Sequence, residues 1–241
     1  MPSMVKLINY TSKPEITIAI AARLCYSSYN IAKIEEDFNA GEKGLEKARK
    51  LIKKIRSSGH ESVLEHSNFT FGVEKLSRSA SHQLVRHRIA SYSQRSQRYV
   101  KETKPQYVVP DSIVKNSEFL KKYNKAIDEA FSLYGYLLEN GVPAEDARYI
   151  LPNATETQLV FTMNARELLH FFRLRGCERA QWEIRRVAQG MFKLVYPLAP
   201  SVFYGAGPAC VRGNCSEGEF SCGKPSEVRA SWLKAEFDFN G

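Results

Sequence analysis

The sequence predicts an α+β fold: a single compact domain with a central, mostly antiparallel sheet and long helices. Three observations support this prediction. Several segments carry apolar residues at helical spacing, few segments alternate as strands do, and no stretch has the composition of an interdomain linker. The length of 241 residues is ample for a buried core. We therefore expect residues 1–241 to form one domain, with residues 200–241 as a tail rich in cysteine and glycine whose role is open.

The helices are predicted from apolar spacing and from the residues at their ends. Glu15 to Cys25 has the composition of a buried helix, with Ser12 as its cap ahead of Pro14. Ala40 to Ser57 has a basic, amphipathic pattern that ends near Ser58-Gly59. Further helices are predicted at Leu76–Val85, at Ser117–Glu139 with Phe119 on its apolar stripe, just after Pro143, at Asn164–Arg175 and at Ala180–Val195.

Strand signals are fewer. Asn68 to Glu74 alternates clearly, with Phe69, Phe71 and Val73 on one side, and Val5 to Asn9 alternates weakly. We expect little regular structure after Pro200, apart from a short helix near residues 228–233.

The overall charge favours anionic partners. Lys and Arg number 35 against 26 Asp and Glu, which gives a net charge of +9. No apolar run approaches the length that spans a bilayer, and the N-terminus lacks the apolar core of a signal peptide. The sequence therefore predicts a cytoplasmic protein without a membrane partner.

The segment from Arg86 to Tyr99 (RHRIASYSQRSQRY) concentrates this charge. It contains four arginines, one histidine and three serines, and no acidic residue. Cations at helical spacing repel one another, so we expect a loop whose guanidinium groups bind a phosphate. A solvated basic loop and an RNA-binding surface that uses Tyr92 and Tyr99 for stacking remain alternatives.

A second basic cluster lies on the helix predicted at Asn164–Arg175. Arg166, His170 and Arg173 share one face of that helix, while Leu168, Leu169 and Phe172 are expected on the other. An arginine beside so many apolar residues needs a partner, and an anionic ligand would be one.

Metal binding has weak support in the sequence, and we predict no metal site. His60 and His66 are six residues apart, which places them on different faces of a helix. Cys210, Cys215 and Cys222 are spaced C-x4-C-x6-C, but zinc normally takes four ligands and no nearby histidine supplies the fourth. Free thiols are the alternative, in keeping with the odd count of five cysteines.

Three motifs together give the sequence a family resemblance. Arg86-His87-Arg88 is followed after seven residues by Ser96, which opens the motif S-x-R-Y. The segments Gly59–Val73 and Gly141–Ile184 lie before and after this motif. The three segments, in this order, resemble those of the flavin-dependent thymidylate synthases, and the resemblance covers about residues 21–184. The resemblance implies conversion of dUMP to dTMP, with 5,10-methylenetetrahydrofolate, FAD and NADPH. It also implies a homotetramer whose active sites are shared between subunits, and it requires no nucleophilic cysteine.

The resemblance assigns roles residue by residue. The catalytic assignments are Arg175, beside the uracil ring, and His60, near the flavin or folate. The residues implied for FAD are Ser62, Glu65, Arg86, His87, Arg88, Ile89, Gln94, Asn164, Arg166 and His170. Those implied for dUMP are Gln83, Arg86, Gln94, Ser96, Arg98, Arg148 and Arg175. Gln94 stands where many members carry Glu, and at position 170 some carry Asn.

The expected partners are therefore dUMP and a folate, without nucleic acid. The chain has no G-x-G-x-x-G fingerprint, so a Rossmann-type flavin site is disfavoured. A non-catalytic nucleotide-binding scaffold remains a further alternative to the enzyme.

Overall fold

The computed structural model describes residues 4–102 and 104–237 and has an α+β architecture with one four-stranded sheet. The strands are β1 (Met4–Tyr10), β2 (Asn68–Ser77), β3 (Ala90–Gln94) and β4 (Glu156–Asn164). They are antiparallel and lie in the order β1-β2-β4-β3. The predicted fold class and the two predicted strands are thus confirmed.

Along the chain, the α-helices lie between the strands and after the last strand. In chain order they are α1 (Pro14–Leu24), α2 (Ile31–Phe38), α3 (Gly41–Ser57), α4 (Arg78–Leu84), α5 (Asp111–Val114), α6 (Ser117–Glu139), α7 (Ala144–Ala147), α8 (Ala165–Arg175), α9 (Trp182–Val195), α10 (Pro200–Phe203) and α11 (Pro225–Phe237). Short 3-10 helices lie at Glu61–His66, Arg148–Ile150, Tyr196–Leu198, Ala209–Val211 and Gly218–Phe220. In the part of the chain that is described, no helix combines the length and apolar character needed to cross a bilayer.

The chain divides into two compact units. The first unit consists mainly of Val73–Arg86 and Tyr92–Val160. The second unit consists of Val5–Gly72, His87–Ser91 and the chain from Phe161 onwards. The prediction of a single catalytic domain therefore stays a prediction.

Helix α6 organises the first unit. Its N-cap Asn116 accepts hydrogen bonds from the next turn, and Ile127, Phe131 and Tyr134 are buried along its inner face. The bounds of this helix were predicted correctly. Phe119, however, was expected on the apolar stripe and is 56% exposed.

The second unit has an aromatic core. Phe71 of β2 stacks on Phe161 of β4 with ring centroids 5.5 Å apart. The apolar face predicted for α9 is buried in full, and Phe172 of α8 packs edge-on against Phe192 at 5.7 Å. Edge-on aromatic contacts of this kind fix the relative position of α8 and α9.

Local signals were misread at the start of α1 and in the region that precedes α3. The N-cap of α1 is Lys13, whose side chain makes no capping bond, and Ser12 does not cap the helix. Helix α2 was not predicted, although Asn30 is a regular N-cap that accepts a bond from the Lys33 N–H group. Its eight residues are too few for a clear periodic signal.

The C-terminal region contains more structure than predicted. The helix expected near residues 228–233 is present as α11 and is longer. The other regular structure described after Pro200 consists of single turns, namely α10 and two 3-10 helices, as expected. Trp232 is 3% exposed and lies 4.9 Å from Phe192 between ring centroids. Buried Glu15 of α1 also accepts a hydrogen bond from the Ser201 N–H group at 2.8 Å. The C-terminal region is therefore packed into the core of the second unit.

We expect Trp232→Ala to destabilise the protein by about 3–5 kcal/mol, because the substitution leaves a cavity beside Phe192. Urea denaturation measures this change in the free energy of unfolding. The control is Phe119→Ala at an exposed aromatic position, which we expect to change stability by about 0.5 kcal/mol or less. Equal effects of the two substitutions would contradict the docking of α11.

Candidate active site

The basic segment is partly a strand rather than a loop. Ala90, Tyr92 and Gln94 of β3 are half-buried and alternate with exposed Ser91 and Ser93. This alternation of two is the strand signal, and the high charge of the flanking residues obscured it in the sequence. The prediction of a continuous loop from residue 86 to residue 99 was therefore wrong at β3. The basic residues of the segment therefore lie before and after β3 and not within it.

His87 is the buried member of this segment. It is 5% exposed, and its Nδ1 lies 2.8 Å from Oε1 of Glu167, which is equally buried. On the other side of the ring, the Arg175 Nε–H group donates to His87 Nε2 at 3.0 Å. The three side chains form a chain of hydrogen bonds within the second unit, which we call the Glu167–His87–Arg175 relay.

The partners assign the histidine tautomer. A guanidinium group can only donate, so His87 Nε2 must be an acceptor. The ring proton is then on Nδ1 and is donated to the Glu167 carboxylate. Burial lowers the pKa of His87, and the nearby charge of Arg175 acts in the same direction against the opposing hydrogen bond to Glu167. His87 is accordingly a neutral ring that holds the Arg175 guanidinium in one orientation.

Aromatic contacts hold the His87 ring in place. Phe171 meets it edge-on at a centroid distance of 4.8 Å, and the ring of His170 lies 5.7 Å away. Among the described residues, His87, Glu167 and His170 are the one group whose ligand atoms come within 4.8 Å of one another. Because both His87 nitrogens are used in the relay, this group is better explained as a hydrogen-bond network than as a metal centre.

A cavity of about 450 Å³ opens beside the relay in the second unit. It collects side chains from the Glu61–His66 helix, from the segment after His87, from the end of β4 and from α8. Its lining residues are Glu61, Glu65, Ile89, Asn164, Arg166, Glu167, Leu169, His170 and Arg173. Five of these had been assigned to FAD: Glu65, Ile89, Asn164, Arg166 and His170. Leu169, expected on the opposite face of α8, also lines the cavity.

Two polar contacts shape the wall of this cavity. The Asn164 side chain accepts a bond from the Glu167 N–H group at 2.9 Å and so caps α8. Arg166 donates to Glu65 at 2.6 Å, and both side chains are about half exposed. The hydrogen bond that Arg166 donates to Glu65 raises the pKa of Arg166, so the guanidinium remains charged at the rim.

His60 and Ser62 line a different cavity of the second unit. Its volume is about 460 Å³, and Arg23, Cys25 and Lys54 also contribute to it. The Glu61–His66 helix thus presents Glu61 and Glu65 to the relay cavity and Ser62 to the other one. Six of the residues implied for FAD therefore line these two cavities of the second unit. His87 and Arg88 of the same unit line neither cavity, and Arg86 and Gln94 belong to the first unit.

Most of the residues implied for dUMP belong to the first unit, and Arg175 is the exception. Arg98 Nε lies 3.0 Å from the Glu145 carboxylate, and Arg148 Nε donates to the Glu145 carbonyl at 3.1 Å. Gln94 donates to Ser81 Oγ at 3.0 Å, so its amide is anchored within the unit. Arg98 and Arg148 of one chain therefore both contact Glu145.

Arg78 adds a third guanidinium that the sequence reasoning missed. It donates to Gln97 at 3.1 Å, and burial together with the charge of Arg148 lowers its pKa. Arg78 is the first residue of α4, where the helix dipole favours an anion over a cation. An arginine at the first position of a helix is unfavourable, and this feature of the sequence could have identified Arg78 as a candidate ligand-binding residue. An anion placed between Arg78 and Arg148 would relieve the repulsion between these two guanidinium groups.

Arginine, histidine and asparagine side chains at these sites are chemically suited to planar, anionic ligands. Comparison with known proteins narrows the class of protein. The family model described as thymidylate synthase complementing protein matches residues 6–201. The flavin-dependent thymidylate synthase of Geobacter sulfurreducens is 50% identical over 227 residues, which cover 93% of this chain and 96% of that protein. The flavin-dependent thymidylate synthase of Clostridium tetani is 46% identical, with coverage of 95% and 96% respectively.

A solved structure agrees with these relatives. The UMP/dUMP methylase PolB from Streptomyces cacaoi, bound with 5-Br dUMP, aligns with a TM-score of 0.69 and 27% identity. The alignment covers 85% of this chain and 96% of PolB. The chain belongs to the flavin-dependent thymidylate synthase family, and the family resemblance found in the sequence is confirmed.

The relay predicts a pH dependence of stability. His87 has a lowered pKa in the folded state, so the unfolded chain binds a proton there first as the pH falls below about 6.5. Stability should therefore fall as the pH drops through about 6.5 and stop changing below the folded-state pKa of His87. We expect a shallower slope between about pH 7 and pH 5 in His87→Gln than in the wild type. Urea denaturation at each pH measures both slopes, and identical slopes would contradict the buried neutral state of His87.

Proposed function

We propose that the protein is a flavin-dependent thymidylate synthase that methylates dUMP. The net reaction takes dUMP, 5,10-methylenetetrahydrofolate, NADPH and a proton to dTMP, tetrahydrofolate and NADP⁺. Membership of the family supports this activity, and the 5-Br dUMP bound to PolB supports dUMP as the substrate. Within the chain, the observation that carries the proposal is the Glu167–His87–Arg175 relay beside a cavity lined by arginine, histidine and asparagine.

The chemistry of the relay cavity fits a flavin. FAD has a planar ring system and a diphosphate, and the cavity offers His170 and Asn164 as polar groups, Ile89 and Leu169 as apolar ones, and Arg166 as a cation. We propose that these residues hold FAD together with Glu65, His87 and Arg88. FAD, when bound, carries the hydride from NADPH that reduces the transferred carbon to a methyl group. A positive charge near the flavin would favour its reduced, anionic state.

We propose that the first unit supplies the phosphate site for dUMP. Arg98 and Arg148 converge at Glu145, and Ser96 and Arg86 belong to the same basic segment. Gln83 at the end of α4 joins this set, and Gln94 is assigned to both ligands. Guanidinium groups suit this role because they bind phosphate oxygens bidentately. Arg78 adds positive charge beside Arg148 and so strengthens the attraction of the site for an anion.

Arg175 is the proposed catalytic residue. Its guanidinium would lie beside the uracil ring of dUMP, where positive charge favours loss of the N3 proton and makes C5 more nucleophilic. His87 acts as a positioning residue, because its Nε2 fixes the plane of that guanidinium. His60 is proposed on the flavin or folate side of the reaction and lines the second cavity. This arrangement uses no cysteine nucleophile.

We further propose that 1–241 acts as one catalytic domain, with a homotetramer that shares active sites between subunits. Large apolar side chains lie exposed on both units, as interfaces between subunits require. They include Tyr26 at 82%, Ile89 at 65%, Tyr99 at 80% and Tyr149 at 83%. Sedimentation of the purified enzyme should give four chains per particle, and an active monomer would refute the shared sites.

The assay that tests the function is dUMP-dependent NADPH oxidation with 5,10-methylenetetrahydrofolate and FAD, with dTMP as the measured product. Purified protein should be yellow and should bleach with NADPH. Arg175→Ala should lower dTMP formation by about 10²–10³-fold, as loss of one charge-stabilising donor does. A variant of exposed Arg186, Arg186→Ala, should keep the wild-type rate.

The controls make this assay decisive. Flavin absorbance should be the same in both variants and the wild type. Thermal unfolding should be unchanged in Arg186→Ala, whereas Arg175→Ala removes the donor to His87 and should unfold at a lower temperature while remaining folded at the assay temperature. Near-normal turnover in Arg175→Ala would remove its catalytic role. A colourless protein that takes up no added FAD would instead overturn the flavin enzyme and favour the nucleotide-binding or RNA-binding alternatives.

The phosphate site predicts a ligand-specific loss of affinity. Arg148→Ala should weaken dUMP binding by roughly 10–100-fold, which corresponds to the 1.5–3 kcal/mol of a hydrogen bond to a charged group. Binding of deoxyuridine, which lacks the phosphate, should not change. Isothermal titration with both ligands measures the difference, and equal losses for the two would show that Arg148 does not contact the phosphate.

A further inference from the structure

Four of the five cysteines come together in the second unit, and the relay does not use them. Cys177 follows α8, and Cys210, Cys215 and Cys222 belong to the segment between α10 and α11. Cys177 and Cys210 lie within electrostatic range of each other and of the other two thiols. Cys25 is exposed and lies just after the end of α1. The sequence lacked a fourth ligand for the C-x4-C-x6-C motif, and Cys177 supplies one from 33 residues upstream of Cys210.

Hydrogen bonds from nearby arginines hold the segments that carry these cysteines. Arg179, two residues after Cys177, donates from Nε to the carbonyl of Phe220, two residues before Cys222. Arg229 of α11 donates to the Cys210 carbonyl at 3.0 Å. It also donates to the Gly213 carbonyl at 3.2 Å, between Cys210 and Cys215. The backbone is therefore tethered close to each thiol.

Two of the sulfur atoms already accept backbone hydrogen bonds. The Lys224 N–H group donates to Cys222 Sγ at 3.4 Å, and the Arg179 N–H group bonds to the Cys177 thiol. In both cases the donor is two residues after the cysteine. Gly223, with φ of 73°, makes the turn that aims the Lys224 N–H group at the sulfur. Burial raises the pKa of the Cys177 thiol, and the N–H group aimed at its sulfur opposes that rise. Metal-bound cysteines use N–H donors of this kind.

The segment around the motif has little apolar material of its own. Residues 212–224 (RGNCSEGEFSCGK) include one large apolar side chain, Phe220, and it is 69% exposed. Hydrophobic packing therefore cannot fix this segment, whereas a metal ion bound by four cysteines can. Four thiolates and one divalent ion carry two negative charges in total. The guanidinium groups of Arg179 and Arg229, bonded to neighbouring carbonyls, are placed to offset part of this charge.

We propose that Cys177, Cys210, Cys215 and Cys222 bind one Zn²⁺ as a closed, tetrahedral structural site. Each thiol loses its proton on binding, and no oxidation or reduction takes place. Within the described residues, no three of these sulfur atoms lie within 4.8 Å of one another, so binding includes rotation of the cysteine side chains. The site revises the sequence-based prediction of no metal, and it is independent of the proposed dUMP chemistry.

The test is the metal content of the full-length protein, purified under reducing conditions without chelator and measured by inductively coupled plasma mass spectrometry. We expect one zinc per chain in the wild type and in Cys25→Ser, the matched control at the exposed cysteine. Cys215→Ser and Cys222→Ser should each lose most of the zinc. Replacement of zinc by Co²⁺ should give the visible absorption of a tetrahedral cobalt thiolate in the wild type and in Cys25→Ser, but not in Cys215→Ser or Cys222→Ser.

Several results would overturn the site. Wild-type protein that is folded and free of zinc would do so, and so would iron in place of zinc. An intact mass that shows disulfides between these cysteines under non-reducing conditions would also contradict it. Strong chelation should lower the melting temperature of the wild type by several degrees but leave Cys215→Ser unchanged, so an equal shift in both would count against a structural metal. Each readout is independent of enzyme activity.

Discussion

The hydrogen bonds of one buried histidine connect the parts of this protein that matter for chemistry. His87 joins the basic segment after α4 to helix α8, because Glu167 and Arg175 occupy its two ring nitrogens. Glu167 and Arg175 are 80 and 88 positions after His87 in the sequence, and these hydrogen bonds fix the three side chains relative to one another. A buried imidazole without these partners would leave polar groups unsatisfied, which proteins rarely tolerate. The relay thus stabilises the fold of the second unit and positions a guanidinium for chemistry.

The distribution of basic residues over the two units matches two ligands with different requirements. The second unit presents a cavity with mixed polar and apolar walls, suited to a flat ring system, and the first unit presents arginines around Glu145, suited to a phosphate. In the first unit, Arg78 and Arg148 repel each other, and that electrostatic cost is offset when an anion binds. Such a site keeps its arginines charged and close together before the ligand arrives, which reduces the ordering required on binding.

The sequence predicted the strongly periodic elements well and the others poorly. The bounds of α6 and the buried face of α9 follow from long apolar repeats. Helix α2 is too short for a clear repeat, and β3 was hidden because charged residues surround its alternation of Ala90, Tyr92 and Gln94. The length of α11 was underestimated because glycine and cysteine dominate the composition of the C-terminal region. Trp232 packs this helix into an aromatic cluster formed by residues distant in sequence.

The candidate site was predicted only in part, because local motifs identify single residues and do not show which distant residues contact them. Motifs identified Arg166, His170 and Arg175, but composition could not show that His87 is buried against Glu167, since that contact depends on tertiary packing. Arg78 and Cys177 were missed because each acts with partners far away in sequence. Leu169 was expected on the core side of α8 because it is apolar, but it forms part of the apolar wall of the relay cavity.

The tautomer of His87 tests the central claim most directly. Two-dimensional ¹H–¹⁵N correlation through the imidazole ring, recorded at neutral pH, distinguishes a protonated Nδ1 from a protonated Nε2. The relay predicts a neutral ring with the proton on Nδ1 and an unprotonated Nε2 that accepts from Arg175. A ring protonated on Nε2, or on both nitrogens, would contradict it, because the Arg175 Nε–H group could then have no acceptor on His87.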